Sequence, residues 1–212
     1  MLKDYICEDC LNNIFFIYDP FCIFCQNVSI EGSTHYKCYT RYRPEKLITP
    51  FFYSGIVRSS IIKSKYSKKE YSLVLDLLKY LLVYKEQFNL HLLDDFVISA
   101  IPGDKKRYKK RGFNLPSLMG QSLSGYLQIP FKETLIKTKC TESLTGLSKD
   151  QRKKAVVNTY NVVPGSLPKN ILLIDDVLTT GSTLLEGTKT LKRAGVSTVW
   201  CFALAYEALK NI

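Results

Sequence analysis

Two adjacent acids and a group of hydroxyl side chains stand close together in the segment ILLIDDVLTTGSTL, residues 171–184. Four consecutive apolar residues, 171–174, predict a strand that is buried on both faces. Asp175 and Asp176 should then emerge together in a turn at its carboxyl end. A turn or helix cap uses one acid, whereas two carboxylates suit a pair of ribose hydroxyls and a hydrated Mg²⁺ ion. The acids therefore predict a sugar-binding edge.

The loop after the acids offers the groups that bind phosphate. Hydroxyls and backbone N–H groups gather where the next helix should begin, and helix N-termini favour anions. Gly181 is small enough to let the backbone meet a phosphate closely. The predicted binding residues of this loop are Thr179, Thr180, Gly181, Ser182 and Thr183. The G-x-x-x-x-G-K-[ST] pattern of nucleotide P-loops is absent from the sequence, so the segment predicts a ribose 5-phosphate site.

The first forty-five residues contain three closely spaced pairs of metal-ligating side chains: Cys7 with Cys10, Cys22 with Cys25, and His35 with Cys38. Zinc takes four such ligands at tetrahedral corners, so two pairs suffice. The second and third pairs enclose nine residues and are the predicted ligands; the first and second enclose eleven and are the alternative. A segment of about forty residues buries too little apolar surface to fold alone, whereas zinc can supply about 10 kcal/mol. We therefore predict a structural zinc module.

Composition bounds the class of protein. The chain has 212 residues, of which 46% are hydrophobic, enough for one substantial core with a small appendage. Lys and Arg outnumber Asp and Glu by 30 to 19, with the excess at residues 63–69 and 105–111, which indicates either a solvated surface or a polyanionic partner. The N-terminus lacks a signal-peptide pattern, and no uninterrupted apolar stretch suggests a membrane span. A cytoplasmic protein with free thiols is expected.

Strands and helices alternate along the rest of the chain. Residues 44–50 read as a short linker, which would divide a zinc module at 1–45 from a main domain at 46–212. An edge strand running into a helix should follow the linker. Further predicted elements are helices at 73–83, 115–126 and before Gly195, and strands at 96–98, 171–174 and 198–205. This order predicts an α/β fold with a mostly parallel sheet, helices on both faces, and a ligand at the carboxyl ends of the strands.

Once these residues are in view, ILLIDDVLTTGSTL resembles the PRPP-binding signature of type I phosphoribosyltransferases. The resemblance implies the fold of that superfamily, a mostly parallel sheet flanked by helices. It also implies that Asp175 and Asp176 meet the ribose hydroxyls and that the T-T-G-S-T loop holds the 5-phosphate, with Mg²⁺ bound alongside PRPP.

A second segment, IPGDKKRYKKRGFN at residues 101–114, resembles the P-x-x-x-x-R-x-x-x-R-G-F-N stretch of the ComF family of competence proteins. Members of that family also carry an N-terminal cysteine-rich zinc module. The likeness implies that Pro102, Arg107, Arg111 and Gly112 lie beside the pyrophosphate of PRPP. A basic loop after a strand supplies the positive charge that such a ligand needs.

The chain departs from the family pattern at three places. A T-x-x-Q segment is replaced by residues 141–144, which read TESL, and the asparagine of an R-x-x-N pair is replaced by Ala155 after Arg152. His35 stands where the family commonly has a cysteine, which changes the ligand set to three thiolates and an imidazole. The lost glutamine and asparagine put catalytic turnover in question.

Three functions follow from these resemblances. The first is a competence protein acting in DNA uptake and natural transformation, which binds PRPP, single-stranded DNA and uptake-machinery proteins such as a competence helicase. Basic residues interleaved with Tyr66, Tyr71, Tyr108 and Phe113 would then contact the DNA. The second is an active phosphoribosyltransferase in which Asp175, Asp176 and Arg111 act in catalysis on an unknown nitrogen nucleophile. The third is a regulator that senses PRPP without turning it over.

Overall fold

A parallel β-sheet forms the centre of the computed structural model, which describes residues 5–66, 70–104, 108–109, 111–138 and 156–208. The strands are β1 (Lys46–Ile48), β2 (Phe51–Phe52), β3 (Val97–Ala100), β4 (Leu135–Lys137), β5 (Tyr160–Val162), β6 (Asn170–Leu178) and β7 (Thr198–Tyr206). The helices are α1 (Glu8–Asn12), α2 (Gly55–Tyr66), α3 (Ser72–Leu82), α4 (Leu115–Leu127) and α5 (Ser182–Arg193). Short 3₁₀ turns span Ile30–Gly32, Tyr36–Cys38 and Leu90–Leu92.

The central sheet has the order β1-β7-β6-β3, with β2 also pairing β7 beyond the end of β1. Every pairing in this sheet is parallel. Strands β4 and β5 form a separate antiparallel pair. The predicted mostly parallel α/β architecture is confirmed.

Helices cover both faces of the sheet, as predicted. Apolar side chains of α2, α3 and α4 pack with Leu172 and Ile174 on one face. On the other face, α5 and the β4–β5 pair pack with Ile171 and Leu173. Alternate residues of β6 therefore point into different cores, which is the period of two that a strand imposes. Strand β6 is buried on both sides because its apolar run has no polar face.

The predicted linker at residues 44–50 is wrong, because β1 lies within it. All three residues of β1 are buried, including Lys46, whose Nζ lies 2.9 Å from Glu31 Oε2 and 4.8 Å from the ring centroid of Trp200. A segment that has a lysine between Pro44 and Pro50 does not show the sequence pattern of a buried strand. Its charge is neutralised by a partner fifteen residues away, and that contact permits the burial. The boundary between residues 1–45 and 46–212 stays a prediction.

The first forty-five residues share the cores of the sheet. Ile6 and Ile14 belong to the core on the α2 face, and Ile17, Phe21 and Ile23 belong to the core on the α5 face. Within the part of the chain that the structure describes, none of the helices combines the length and apolarity needed to cross a bilayer.

Candidate functional site

The carboxyl ends of β3 and β6 meet at one edge of the sheet. Ala100 pairs with Ile174, and the backbone N–H of Ile101 donates to the Ile174 carbonyl at 2.9 Å. The chain segment that begins the basic loop therefore lies directly beside the strand that carries the two acids. The resemblance of both segments to known motifs predicted this juxtaposition, and the expected ligand position at the carboxyl ends of parallel strands agreed with it.

The two acids lie inside β6 and not in a turn after it, since β6 continues through Leu178. This differs from the expected acidic turn, and the reason is that β7 continues to pair with β6, matching Asp175 with Ala203 and Val177 with Ala205. Adjacent strand residues point to opposite faces. Asp176 consequently meets the α2 face and Asp175 the α5 face.

Lys65, on α2, is the partner of Asp176. Its Nζ lies 2.6 Å from Asp176 Oδ2, and both side chains are largely buried. Burial lowers the pKa of Lys65, but the charges of Asp176 and Asp175 outweigh it and raise that pKa above the usual lysine range. Lys65 is therefore a fixed positive charge at the carboxyl edge of the sheet. Sequence reasoning missed it, although Val57, Ile61 and Lys65 follow the i, i+4 spacing of one helix face.

Asp175 has a less polar environment than Asp176. Burial, and then the charge of Asp176, raise the pKa of Asp175 to about 7. The backbone N–H of Asp176 donates to Asp175 Oδ1 at 2.9 Å and partly offsets this effect. On the same face, burial and then the charge of Asp175 raise the pKa of Tyr160. Asp175 is thus poised to exchange a proton near neutral pH, whereas Asp176 pairs with Lys65.

The loop between β6 and α5 has the form expected of an anion-binding turn. Gly181 has a φ of 71°, a conformation that side chains disfavour, and α5 begins at the next residue. The hydroxyls of Thr180 and Ser182 lie 2.8 Å apart, and the Ser182 N–H donates to Thr180 Oγ1 at 3.4 Å. A small cleft at this point is lined by Asp175 and by residues 177–179 and 181–184. Asp175 and the loop that follows β6 therefore border one cleft, whereas Asp176 lies on the opposite face of the strand with Lys65.

A cysteine turn from the N-terminal segment packs against the back of this loop. A Cβ added to Gly181 would lie 3.1 Å from Ile23 Cγ1 and 3.2 Å from the Ile23 carbonyl oxygen. The side-chain amide of Gln26 donates to the Thr179 carbonyl at 2.8 Å. Ile23 is fully buried between Cys22 and Cys25. The C-x-x-C turn thus sets the position of the phosphate loop, a relationship that the sequence did not reveal.

The start and end of the basic loop are held together by Asn114. Its side-chain amide donates to the Ile101 carbonyl and to Ser117 Oγ, both at 2.9 Å. A Cβ on Gly103 would lie 2.9 Å from Asn114 Oδ1, so the two ends approach closely. Asn114 is the last residue of the R-G-F-N motif, and its contacts close the loop.

The structure locates most predicted residues of the basic loop. Pro102 and Arg111 are partly buried, and Gly112 has a φ of 79° and donates its N–H to the Tyr108 carbonyl at 2.7 Å. Arg107 lies outside the described residues. So do the other predicted or quoted positions Lys105, Lys106, Lys110, Cys140, residues 141–144, Arg152 and Ala155.

The second and third ligand pairs of the N-terminal segment converge. Ligand atoms of Cys22, Cys25, His35 and Cys38 all lie within 4.8 Å of one another, close enough to hold one metal ion. These are the four predicted ligands. Cys7 and Cys10 stand outside this group in the described part of the chain, so the alternative set is not brought together. Cys201 is fully buried in β7, where burial raises its pKa to about 12, as suits a structural thiol.

Surrounding contacts orient His35 for metal binding. Its Nε2 lies 3.1 Å from the Val28 carbonyl oxygen, an acceptor to which an Nε2–H group can donate. Its Nδ1 lies 3.3 Å from Cys25 Sγ, on the side of the cluster. A metal-bound histidine commonly donates its other N–H to a backbone carbonyl in this way. Three thiolates and one imidazole form a donor set that fits zinc.

The chain is similar in sequence to competence and DNA-utilization proteins. Competence protein F of Haemophilus influenzae is 36% identical over 112 residues, which are 51% of this chain and 49% of that protein. DNA utilization protein YhgH of Escherichia coli (strain K12) is 33% identical over 112 residues, with 51% and 49% covered. Competence protein ComFC of Streptococcus pneumoniae is 30% identical over 112 residues, with 52% and 48% covered. The chain thus spans about half the length of the curated relatives it matches.

No protein-family model matches the chain. Among solved structures, a purine phosphoribosyltransferase from Pyrococcus horikoshii overlaps with 77% of this chain and 91% of its own, at 15% sequence identity and a TM-score of 0.30. A score this low does not establish a shared fold.

Proposed function

We propose that the chain is a competence protein of the ComF type, which acts in the cytoplasm in DNA uptake and natural transformation. Its main domain, residues 46–212, would have a type I phosphoribosyltransferase-like fold and bind PRPP or a related ribose 5-phosphate. The observation that carries this proposal is the cleft at the carboxyl edge of β6, which Asp175 and the loop residues Thr179, Gly181, Ser182 and Thr183 border together. The names of the similar proteins support the role in competence.

Each part of the ligand has a matching group at this edge. Asp175 and Asp176 would accept hydrogen bonds from the ribose hydroxyls. The 5-phosphate would lie against the start of α5, held by hydroxyls and backbone N–H groups from Thr179 to Thr183. Pro102, Arg107, Arg111 and Gly112 would lie along the pyrophosphate. Bound Mg²⁺ would supply charge neutralisation for the pyrophosphate.

The cysteine cluster would hold a structural zinc ion. Its contribution to the ligand site is mechanical, because Ile23 and Gln26 of the same turn contact Gly181 and Thr179. A role in DNA uptake also implies contact with single-stranded DNA and with a competence helicase. The net charge of +11 favours a polyanionic partner.

Isothermal titration with PRPP and Mg²⁺ tests the ligand proposal. We expect saturable binding that weakens at least tenfold in Asp175→Asn and in Asp176→Asn, because each variant alters a hydrogen bond to the ribose. Asp94→Asn is the matched control, since Asp94 is exposed in the turn before β3. Absence of binding at millimolar PRPP would contradict the proposal that the chain binds PRPP. An equal loss of PRPP affinity in Asp94→Asn would show that the overall charge of the protein, and not the two acids of β6, determines the affinity.

A second candidate function is an active phosphoribosyltransferase on a nitrogen nucleophile. The specific observation that favours it is the pKa of Asp175, about 7, which suits a group that accepts a proton at neutral pH. The test is pyrophosphate release from PRPP in the presence of purine, pyrimidine and amine acceptors. Release that requires an acceptor and disappears in Asp175→Asn would support turnover. Tight PRPP binding without any release of pyrophosphate would indicate that the site senses PRPP or has a structural role.

A further inference from the structure

Three tyrosines near the metal cluster are unusually exposed. Tyr36 is 96% exposed, Tyr39 is 49% exposed and Tyr42 is 37% exposed. They occur at every third position of the segment Thr34–Pro44, which reads THYKCYTRYRP. Buried apolar partners are the usual environment of such large rings. Tyr36 and Tyr39 are the two most exposed rings of the three and offer surface on which a ligand with flat faces could stack.

Positive charges alternate with these rings. Lys37 and Arg41 are exposed, and the segment contains no Asp or Glu. The Arg41 guanidinium carbon lies 5.7 Å from the centroid of the Tyr42 ring. Arg193, exposed at the end of α5, lies 5.5 Å from the same ring. Two cations from separate parts of the chain therefore flank one tyrosine, and the ligand of this surface should be an anion with aromatic groups.

The backbone of the segment is fixed before any ligand binds. Tyr36 lies directly after the predicted metal ligand His35, and the N–H of Cys38 donates to the His35 carbonyl at 2.8 Å. Arg43 stacks on Phe24 of the C-x-x-C turn, with its guanidinium carbon 3.3 Å from the ring centroid, and also donates to the Cys38 carbonyl. A surface held this way loses little entropy on binding.

We propose that this tyrosine strip, defined as Tyr36, Lys37, Tyr39, Arg41 and Tyr42 together with Arg193, binds single-stranded DNA. Unpaired bases stack on Tyr36 and Tyr39, and the phosphates contact Lys37 and the two arginines beside Tyr42. The proposal rests on the role in DNA uptake proposed above and assigns a surface to it. Paired bases keep their faces inside a duplex, so open rings favour the single strand.

The strip is separate from the PRPP cleft. Arg193 ends α5, whereas the phosphate loop precedes the first residue of that helix, Ser182. At 1.5 Å per residue the two ends lie about 17 Å apart. A nucleotide at Tyr42 would therefore lie at the opposite end of α5 from the loop that precedes it.

Fluorescence anisotropy with a labelled single-stranded 20-mer tests the strip in the full-length, zinc-loaded protein. We expect Tyr36→Ala and Tyr39→Ala each to weaken binding at least fivefold, because each removes a stacking surface. Tyr42→Ala should also weaken binding, because the Tyr42 ring positions Arg41 and Arg193. Tyr36→Phe should bind as the unmodified protein does, since the ring remains. Tyr126→Ala is the matched control: Tyr126 is 39% exposed on α4, away from the strip in sequence. Zinc content and the urea midpoint verify that each variant is folded.

Charge variants separate stacking from electrostatics. Lys37→Gln and Arg193→Gln should each reduce the slope of log affinity against log salt by about one unit. If the unmodified protein binds no single-stranded DNA at low salt, both the strip and the DNA part of the proposed function are wrong. If it binds and the alanine variants bind equally well, the strip is refuted and the DNA role stands on another surface. Equal affinity for a duplex of the same length would also refute stacking.

Discussion

Lys65 and Asp176 form an ion pair across the boundary between α2 and the central sheet, with 2.6 Å between Nζ and Oδ2. The pair places a positive charge at the edge where a phosphorylated sugar is proposed to bind. It also relieves the cost of holding two carboxylates next to each other in one strand. Helix α2 is therefore tied to the ligand site as well as to the core.

Loss of this pair should cost measurable stability. Lys65→Met leaves Asp176 charged and largely buried, so the free energy of unfolding should fall by about 1–2 kcal/mol. Urea unfolding measures the change. Lys63→Met on the same helix is the matched control, because Lys63 is exposed. Addition of Asp176→Asn to Lys65→Met should recover part of the loss, and strictly additive effects would contradict a direct pair.

The raised pKa of Asp175 predicts a particular dependence of stability on pH. Between the ordinary aspartate value of 3.8 and about 7, the folded protein keeps a proton on Asp175 that the unfolded chain has lost. Stability from this group is therefore present at low pH and is lost as the pH rises through that window. The unfolding free energy of Asp175→Asn should consequently fall less than that of the unmodified protein over this range.

Urea unfolding at several pH values measures the difference between the two proteins. Asp94→Asn again serves as control, and its curve should stay parallel to that of the unmodified protein. A constant gap between Asp175→Asn and the unmodified protein at all pH values would contradict the raised pKa.

Contacts of the cysteine turn predict that phosphate affinity depends on residues outside the cleft. Gln26→Ala removes the hydrogen bond to the Thr179 carbonyl, a loss of about 1 kcal/mol that would weaken PRPP binding roughly fivefold. Gln121→Ala, at an exposed position of α4, is the matched control. Titration with PRPP and Mg²⁺ gives both affinities. Unchanged binding in Gln26→Ala would mean that the loop holds its shape without the turn.

Metal analysis distinguishes the two ligand sets. Cys22→Ser should lose its zinc and lower the unfolding midpoint, because the four converging ligands include Cys22. Cys7→Ser should retain one equivalent of zinc, since Cys7 lies outside the cluster. Full zinc content in Cys22→Ser would falsify the ligand assignment.

The strong patterns of the sequence predicted the centre of the fold. Four apolar residues before Asp175 locate β6, and Gly195 marks the end of α5 as predicted. Those signals are local, so they can be recognised without knowledge of the tertiary structure. The position of the loop after β3 beside the acids was predicted from the resemblance of both segments to known motifs, because the order of elements along the chain does not fix which strands are neighbours in the sheet.

Features set by distant contacts were not predictable in the same way. The sequence around Lys46 predicts a linker and not strand β1, because no neighbouring residue signals the pairing of Lys46 with Glu31. The extension of β6 through Leu178 depends on pairing with β7. The contact between Ile23 and Gly181 joins residues far apart in the chain, and neither residue type signals the other. Lys65 could have been found, since it continues the buried stripe of α2.

Burial of Ile17, Phe21 and Ile23 in the same core as Leu178 limits how the protein can be divided. A fragment that begins at residue 46 would expose the apolar surface that these three side chains cover beside the phosphate loop. Such a fragment should aggregate on expression. Loss of ligand binding after truncation would therefore reflect a damaged core. It would not show that the removed segment binds the sugar.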